Sequence, residues 1–301
     1  LRAYDNPVID AAVRLGNALQ RPVLVYHGVR EDYPYASDRL HRFILGASRD
    51  FGRDCRARGL ACVQHVDRAG VREKGLVHRL GAAAAAIVVE DQPAFIARWQ
   101  TERVAARAAV AVYAVNAACL VPPAVIGGGI TSRTGFLRRH EPARSDWLES
   151  VEELPDVAAY TGPLPFVPDR LDDHSDADLD ALVAGLAIDH SLPVSSEYPA
   201  GRAAAQARLE RLVREVLPVY AAVRNDATQT AGARACRHIC TLASSARARS
   251  WRRSARLRRG TATRPSSPTS CSAGASGSTT RRPSLPPPSA TAASPAGRPR
   301  L

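Results

Sequence analysis

Methionine is absent from all 301 residues, and helical spacing begins as early as Asn6. A parallel sheet that opens on a strand has no room for one before that point, so the sequence is expected to be a fragment whose first strand is missing. Acidic residues are absent after Asp226, while arginine continues to the end, so the net charge of +12 belongs to the last quarter. The body of the chain is close to neutral, which excludes a uniformly basic nucleic-acid-binding domain. Long apolar runs are absent as well. The stretches "GAAAAAIVV" and "AAVAVYAV" are too short to cross a bilayer and no secretory signal is present, so a cytoplasmic protein without membrane contact is expected. The six cysteines are scattered, which excludes a disulfide framework and fits a reducing cytosol.

The last quarter also has few aliphatic residues. Its Ser, Ala, Pro, Gly, Thr and Arg, as in "TATRPSSPTSCSAGASGSTTRRPSLPPP", show no apolar period. Such a segment buries too little surface to offset its chain entropy, so 231–301 is expected to be a disordered, low-complexity tail.

The first 120 residues follow a different pattern. "NPVIDAAVRLGNALQ" puts Val8, Ala11, Ala12, Leu15 and Leu19 at helical spacing, and "RPVLVYHG" follows as a short buried strand closed by His27 and Gly28. "SDRLHRFILGASRDFGRDCRARG" reads as a helix with Ser37 as N-cap. Its apolar side is Leu40, Phe43, Ile44, Ala47 and Phe51, and Gly59 is its stop. "LACVQHV", "AAAIVVED" and "AVAVYAVNAACLV" read as strands, with helices over "VREKGLVHRLG" and "PAFIARWQTERVAARA" between them. Alternation of this kind predicts an α/β fold over 1–120, a Rossmann-like, doubly wound parallel sheet.

Residues 121–195 form a Pro- and Gly-punctuated connection in which only Asp176 to Ala187 looks helical. "VIGGGITS" lacks a clear following helix and "SRTG", Ser132 to Gly135, matches no phosphate loop, so neither reads as a nucleotide fingerprint. Residues 196–230 begin an all-α unit, with Leu209, Leu212, Val213 and Val216 at helical spacing.

The pieces "DNPVIDAAV", "RPVLVYHGVREDYPYASDRLHRFILGASRD", "VVEDQPAF", "IDHSLPVS" and "LPVYAAVRND" occur in one order over roughly residues 2 to 230. Together they resemble bacterial DNA photolyases of the photolyase/cryptochrome family. The resemblance implies an amino-terminal α/β antenna domain for a folate or deazaflavin chromophore, a long linker, and an all-α domain that binds FAD and UV-damaged DNA. It also implies a monomer that repairs cyclobutane pyrimidine dimers with light. Tyr220 matches a family tyrosine at the FAD phosphates; by itself it reads equally as a half-buried helix tyrosine.

After this helix the family carries a segment like T-S-x-L-S-P-Y-L-H-x-G that grips the flavin phosphates. Here the chain reads "RACRHICTLAS". The codons of Cys236 to Ser244, read one nucleotide earlier, permit Leu-Ser-Pro-Tyr-Leu-His-Ser-Gly-Ile. A frameshift between about Ala227 and Ala235 is therefore expected, with 231–301 a translation of the wrong frame and the flavin site lost. A zinc site at Cys236, His238 and Cys240 is the rival reading of that stretch. It lacks a clear fourth ligand, with only His190 and Cys271 nearby in sequence, so no metal is expected. A basic arm for nucleic acid is the rival reading of the tail.

Other candidates are weaker. Glu90 and Asp91 end a strand at the carboxyl edge, where they either line an antenna pocket or cap the next segment. Gly28 suits a turn or a close ligand approach. Asp189 and His190 read as a contact of the linker, because no nucleophile stands beside them. A cryptochrome-like photoreceptor, or a non-catalytic α/β nucleotide-binding module with a basic tail, remains as an alternative.

Overall fold

The structure is a computed structural model, and it describes residues 1–92, 95–144, 146–148, 156–216 and 218–220. All residues after Tyr220, the Cys236 to Cys240 stretch and the tail among them, lie outside the described residues.

Chain order alternates as α1 (Pro7–Leu19), β1 (Leu24–Arg30), α2 (Asp38–Ala57), β2 (Ala61–Asp67), α3 (Leu76–Ala82), β3 (Ala86–Glu90), α4 (Phe95–Arg107) and β4 (Ala111–Val115). Two short helices follow, α5 (Pro123–Ile126) and α6 (Arg133–Arg144), and then α7 (Asp176–Ala184) and α8 (Arg202–Arg211). All strand pairing is parallel, with Leu24 opposite Ala61 through Arg30 opposite Asp67, and Ala86 opposite Ala111 through Glu90 opposite Val115. The α/β reading is borne out, but the one sheet is realised as two parallel pairs, β1–β2 and β3–β4. Among the described residues no strand joins them. Among the described residues the second edge of β1 is met just ahead of its start, where Val23 accepts from Tyr160 and donates to Ala158.

Local chemistry explains the element ends. The Asn6 side chain accepts from Val8 N at 3.1 Å and Pro7 supplies a preset φ, so α1 starts there. The side of α1 that is buried differs from expectation: Ile9, Val13 and Gly16 face the core, while Leu19 is 46% exposed. Gly16 decides this, because a Cβ there would stand 2.7 Å from Val23 Cγ2 and 3.0 Å from the Arg21 carbonyl. Ser37 holds the N-cap position of α2 without a side-chain cap bond. The backbone there is held by Asp189 instead, whose carbonyl accepts from Asp38 N and whose N–H donates to Ala36. Gly59, at φ +71°, ends the helix as expected.

α2 is buried on more than one side. It packs on the β1–β2 pair and is covered again by the stretch 171–188. Leu45, Val29 and Val66 share one apolar cluster with Leu171, Leu179, Val183 and Leu186. Gly52 makes the approach possible, since a Cβ there would meet Asp172 Cβ at 2.9 Å. The connection thus supplies four of the seven buried residues of that core, and α7 is the helix expected over 176–187, ending at Ala184. A Ser175–Asp178 capping box starts it. A second cluster joins Ala3, Ile9, Val13, Phe51, Cys55 and Leu60.

α6 corrects the reading that only 176–187 of the connection is helical. It buries no residue, so it has no apolar stripe to read; its first turn is held by Ser132 Oγ accepting from Gly135 N at 3.1 Å. A helix therefore does follow "VIGGGITS", but α5 precedes the glycines, so the loop is not a strand-to-helix phosphate cradle. In the last unit α8 buries Ala205 and Leu209, and a π-helical turn continues it over Leu212–Val216.

Candidate functional site

Parallel sheets aim their carboxyl ends at one edge, and the loops there are the usual ligand platform. Here β1 and β2 deliver acids paired to arginines. Glu31, 2% exposed, accepts from Ala187 N at 2.9 Å and from Arg72 Nη2 at 3.2 Å. These bonds, the one from Ala187 first, hold its carboxyl below the usual range. Asp32 receives both Arg30 Nε and Nη2 at 2.8 Å. Asp169 from the connection accepts from Val66 N at 2.6 Å and pairs with Arg68 at 2.8 Å. These groups stitch loops to strand ends, and each has its partner within the fold.

At the end of β3, Glu90 accepts from Gln92 Nε2 at 2.6 Å, while Asp91 N donates to the Val115 carbonyl at 2.8 Å. Glu90 thus has a local partner in the turn that follows β3, while the Asp91 backbone is tied across to the end of β4.

His27 and Gly28 do not end β1, which runs on to Arg30. His27 Nδ1 lies 2.9 Å from Ser48 Oγ on α2, and Gln64 Nε2 reaches the same hydroxyl at 2.8 Å. Burial pushes the His27 pKa down to about 4, so it is neutral in the fold. A Cβ on Gly28 would stand 2.6 Å from the Tyr26 hydroxyl, so the space beside it belongs to a tyrosine of its own strand. This His27–Ser48–Gln64 group was missed in the sequence. Its only signal is polar residues at core-facing positions.

Asp189 and His190 do not pair with each other. His190 Nδ1 meets Asp38 Oδ1 at 2.7 Å and its Nε2 meets the Leu186 carbonyl at 3.0 Å, while Asp189 accepts from the Ser191 hydroxyl at 2.6 Å. They pin the connection to the start of α2, the contact role expected of them.

A cavity of about 350 Å³ opens between β2, α2 and the 164–173 stretch, lined in part by Arg56, Cys62, Gln64, Arg170 and Asp172. Nothing in the sequence pattern marks it, because its walls come together only when the connection folds back.

Tyr220 stands at the end of the described residues, with 38% of its surface exposed. A flavin dinucleotide needs a cradle for its phosphates and a closed slot for its ring. The exposed Tyr220 is one candidate contact, and the described residues do not build that cradle. No step through flavin follows from them. Among the described residues no group of three metal-ligating side chains occurs, and no helix is long and apolar enough to cross a membrane.

The class defined by this geometry is an α/β domain with parallel strand pairs, wrapped by its own carboxyl-side connection and leading into a helical segment. No protein-family model matches the chain. Over 67 residues it is 31% identical to the deoxyribodipyrimidine photo-lyase of Methanothermobacter thermautotrophicus, a match covering 22% of this chain and 15% of that protein. In structure it is similar to a bacterial class III photolyase from Agrobacterium tumefaciens, with a TM-score of 0.54 and 15% identity, over 85% of this chain. The chain spans about half of that structure's length, 51%. Both relatives are photolyases; the sequence match is confined to 67 residues, and the structural match, at 15% identity, bears on the fold alone.

Proposed function

We propose that the gene encodes a DNA photolyase that uses light and reduced FAD to split cyclobutane pyrimidine dimers in UV-damaged DNA. The α/β half would carry the antenna chromophore, a folate or a deazaflavin. A dimer is already poorly stacked, so flipping it from the duplex into a protein pocket costs less than flipping a normal base. The protein's part would be to hold flavin and lesion together and exclude water. The chain as written would be inactive, because its flavin-gripping segment is out of frame.

One observation carries this reading. Cys236 to Ser244, shifted by one nucleotide, permits Leu-Ser-Pro-Tyr-Leu-His-Ser-Gly-Ile where the ordered resemblance calls for a flavin motif. The test is a protein made from the gene with the frame restored upstream of Ala235. Flavin absorbance after purification and light-dependent loss of thymine dimers from irradiated DNA are expected, with neither from the chain as written. Flavin binding without repair would favour a photoreceptor, and absence of flavin from the restored protein would contradict the proposal.

A further inference from the structure

α6 commits little of itself to the fold. None of its 12 residues is buried, and it is tied to the loop after α5 through Arg139, whose Nη1 donates to the Ile126 carbonyl at 3.2 Å and the Gly128 carbonyl at 3.0 Å. It carries four arginines, Arg133, Arg138, Arg139 and Arg144, against one acid, Glu141. Elsewhere arginines face carboxylates: Arg42, Arg49, Arg72 and Arg98 each hold one within 3.2 Å. On α6 the pattern changes. Arg133 and Arg138 are exposed without a carboxylate partner among the described residues, Arg139 meets neutral carbonyls, and Glu141 pairs with none of them. A helix side turned to water alone gains from mixed charge, because like charges along it repel.

Aromatic rings stand among these cations. Phe136, 40% exposed, stacks on His140 with ring centroids 4.9 Å apart, and Trp147, 45% exposed, follows just past the helix end. A membrane surface would need a broad apolar face, and beyond Phe136 and Leu137 the helix has no large apolar residue. Guanidinium groups interleaved with open rings suit a strand whose phosphates take the charge and whose bases or sugars take the rings.

We propose that α6 is a contact surface for DNA, with backbone phosphates against Arg133 and Arg138 and the exposed rings of Phe136 and Trp147 beside them. The helix is about 18 Å long, a length over which one strand presents roughly five phosphates. Uncompensated guanidiniums then find their counter-charge outside the protein. Binding here needs neither light nor flavin, so it stands or falls separately from the photolyase reading.

The test uses the full chain and its Arg133→Ala/Arg138→Ala variant, with a fluorescent 20-nucleotide DNA, single-stranded and duplex, titrated between 50 and 200 mM salt. The arginine-rich tail is common to both proteins and gives a shared background. The variant should bind more weakly, with the slope of log affinity against log salt shallower by about one unit per arginine. Its urea midpoint should stay unchanged, because α6 buries nothing. Photo-crosslinking to bromodeoxyuridine-substituted DNA should mark the peptides holding Phe136 or Trp147. An unchanged slope, or crosslinks confined to residues after Asp226, would overturn the proposal. Polyglutamate bound as tightly as DNA, with the same loss in the variant, would overturn DNA as the partner in favour of an acidic protein.

Discussion

His27 on β1 and Glu31 just past its end respond to acid in different pH windows. His27 is neutral in the fold with a pKa of about 4, against 6.5 when unfolded, so the unfolded chain binds the extra proton first. Its contribution is complete above pH 6.5 and is lost as pH falls toward 4, at most roughly 3 kcal/mol in all. Carboxylates with lowered values, such as Glu31, lose theirs only below the ordinary value of 4.5. Urea midpoints should therefore fall between pH 6.5 and 5 in the wild type. In His27→Gln the slope in that window should flatten. Glu31→Leu should cost about 1–3 kcal/mol, because it strands the Ala187 N–H and removes a buried partner of Arg72; the urea midpoint at pH 7 measures it.

At the scale of elements, α2 is gripped from outside by charge and by apolar packing, and the magnitudes separate them. Arg42 pairs with Asp180 at 2.5 Å and Asp176 at 2.8 Å, Arg49 reaches Asp176 at 2.8 Å, and Arg56 meets Asp172 and Asp173. Asp176 is 72% exposed and Asp180 63%, so the pairs they make are screened and worth about 0–1 kcal/mol each. Leu171 and Leu179 beneath them are fully buried. Leu179→Ala should thus cost about 2–5 kcal/mol, well above the cost of Asp176→Asn. Chemical denaturation of both variants checks the order, and the reverse order would mean that the connection is held by its charges. This double cover also explains what was legible. Each strand is a short apolar run closed by a turn, so all four could be read from the sequence. The face of α1 could not, and that of α2 only in part, with Ala47 and Phe51 buried as read and Leu40 36% exposed, since Gly16 and Gly52 are set by segments that pack against them from elsewhere in the chain. α6, with nothing buried, had no period to show.

Over the whole molecule, the two strand pairs are covered unequally. β2 carries the buried run Gln64, His65 and Val66, whereas β3 has no fully buried residue and β4 leaves Tyr113 50% exposed. Amide hydrogens of β3–β4 should exchange faster than those of β1–β2, because local opening there exposes less apolar surface. Equal protection would show one cooperative sheet. The candidate site was less legible than the fold. Asp189 and His190 make a contact of the linker as expected, but their partners at the start of α2, like the His27–Ser48–Gln64 group and the cavity beside Cys62, depend on contacts between distant segments.

The central claim concerns the gene as much as the chain, and the most direct test is the nucleotide sequence across codons 220 to 245. The account predicts a one-nucleotide discrepancy between about Ala227 and Ala235 whose correction restores Leu-Ser-Pro-Tyr-Leu-His. A clean read in the present frame, with peptides of the arginine-rich tail recovered from cells, would contradict it.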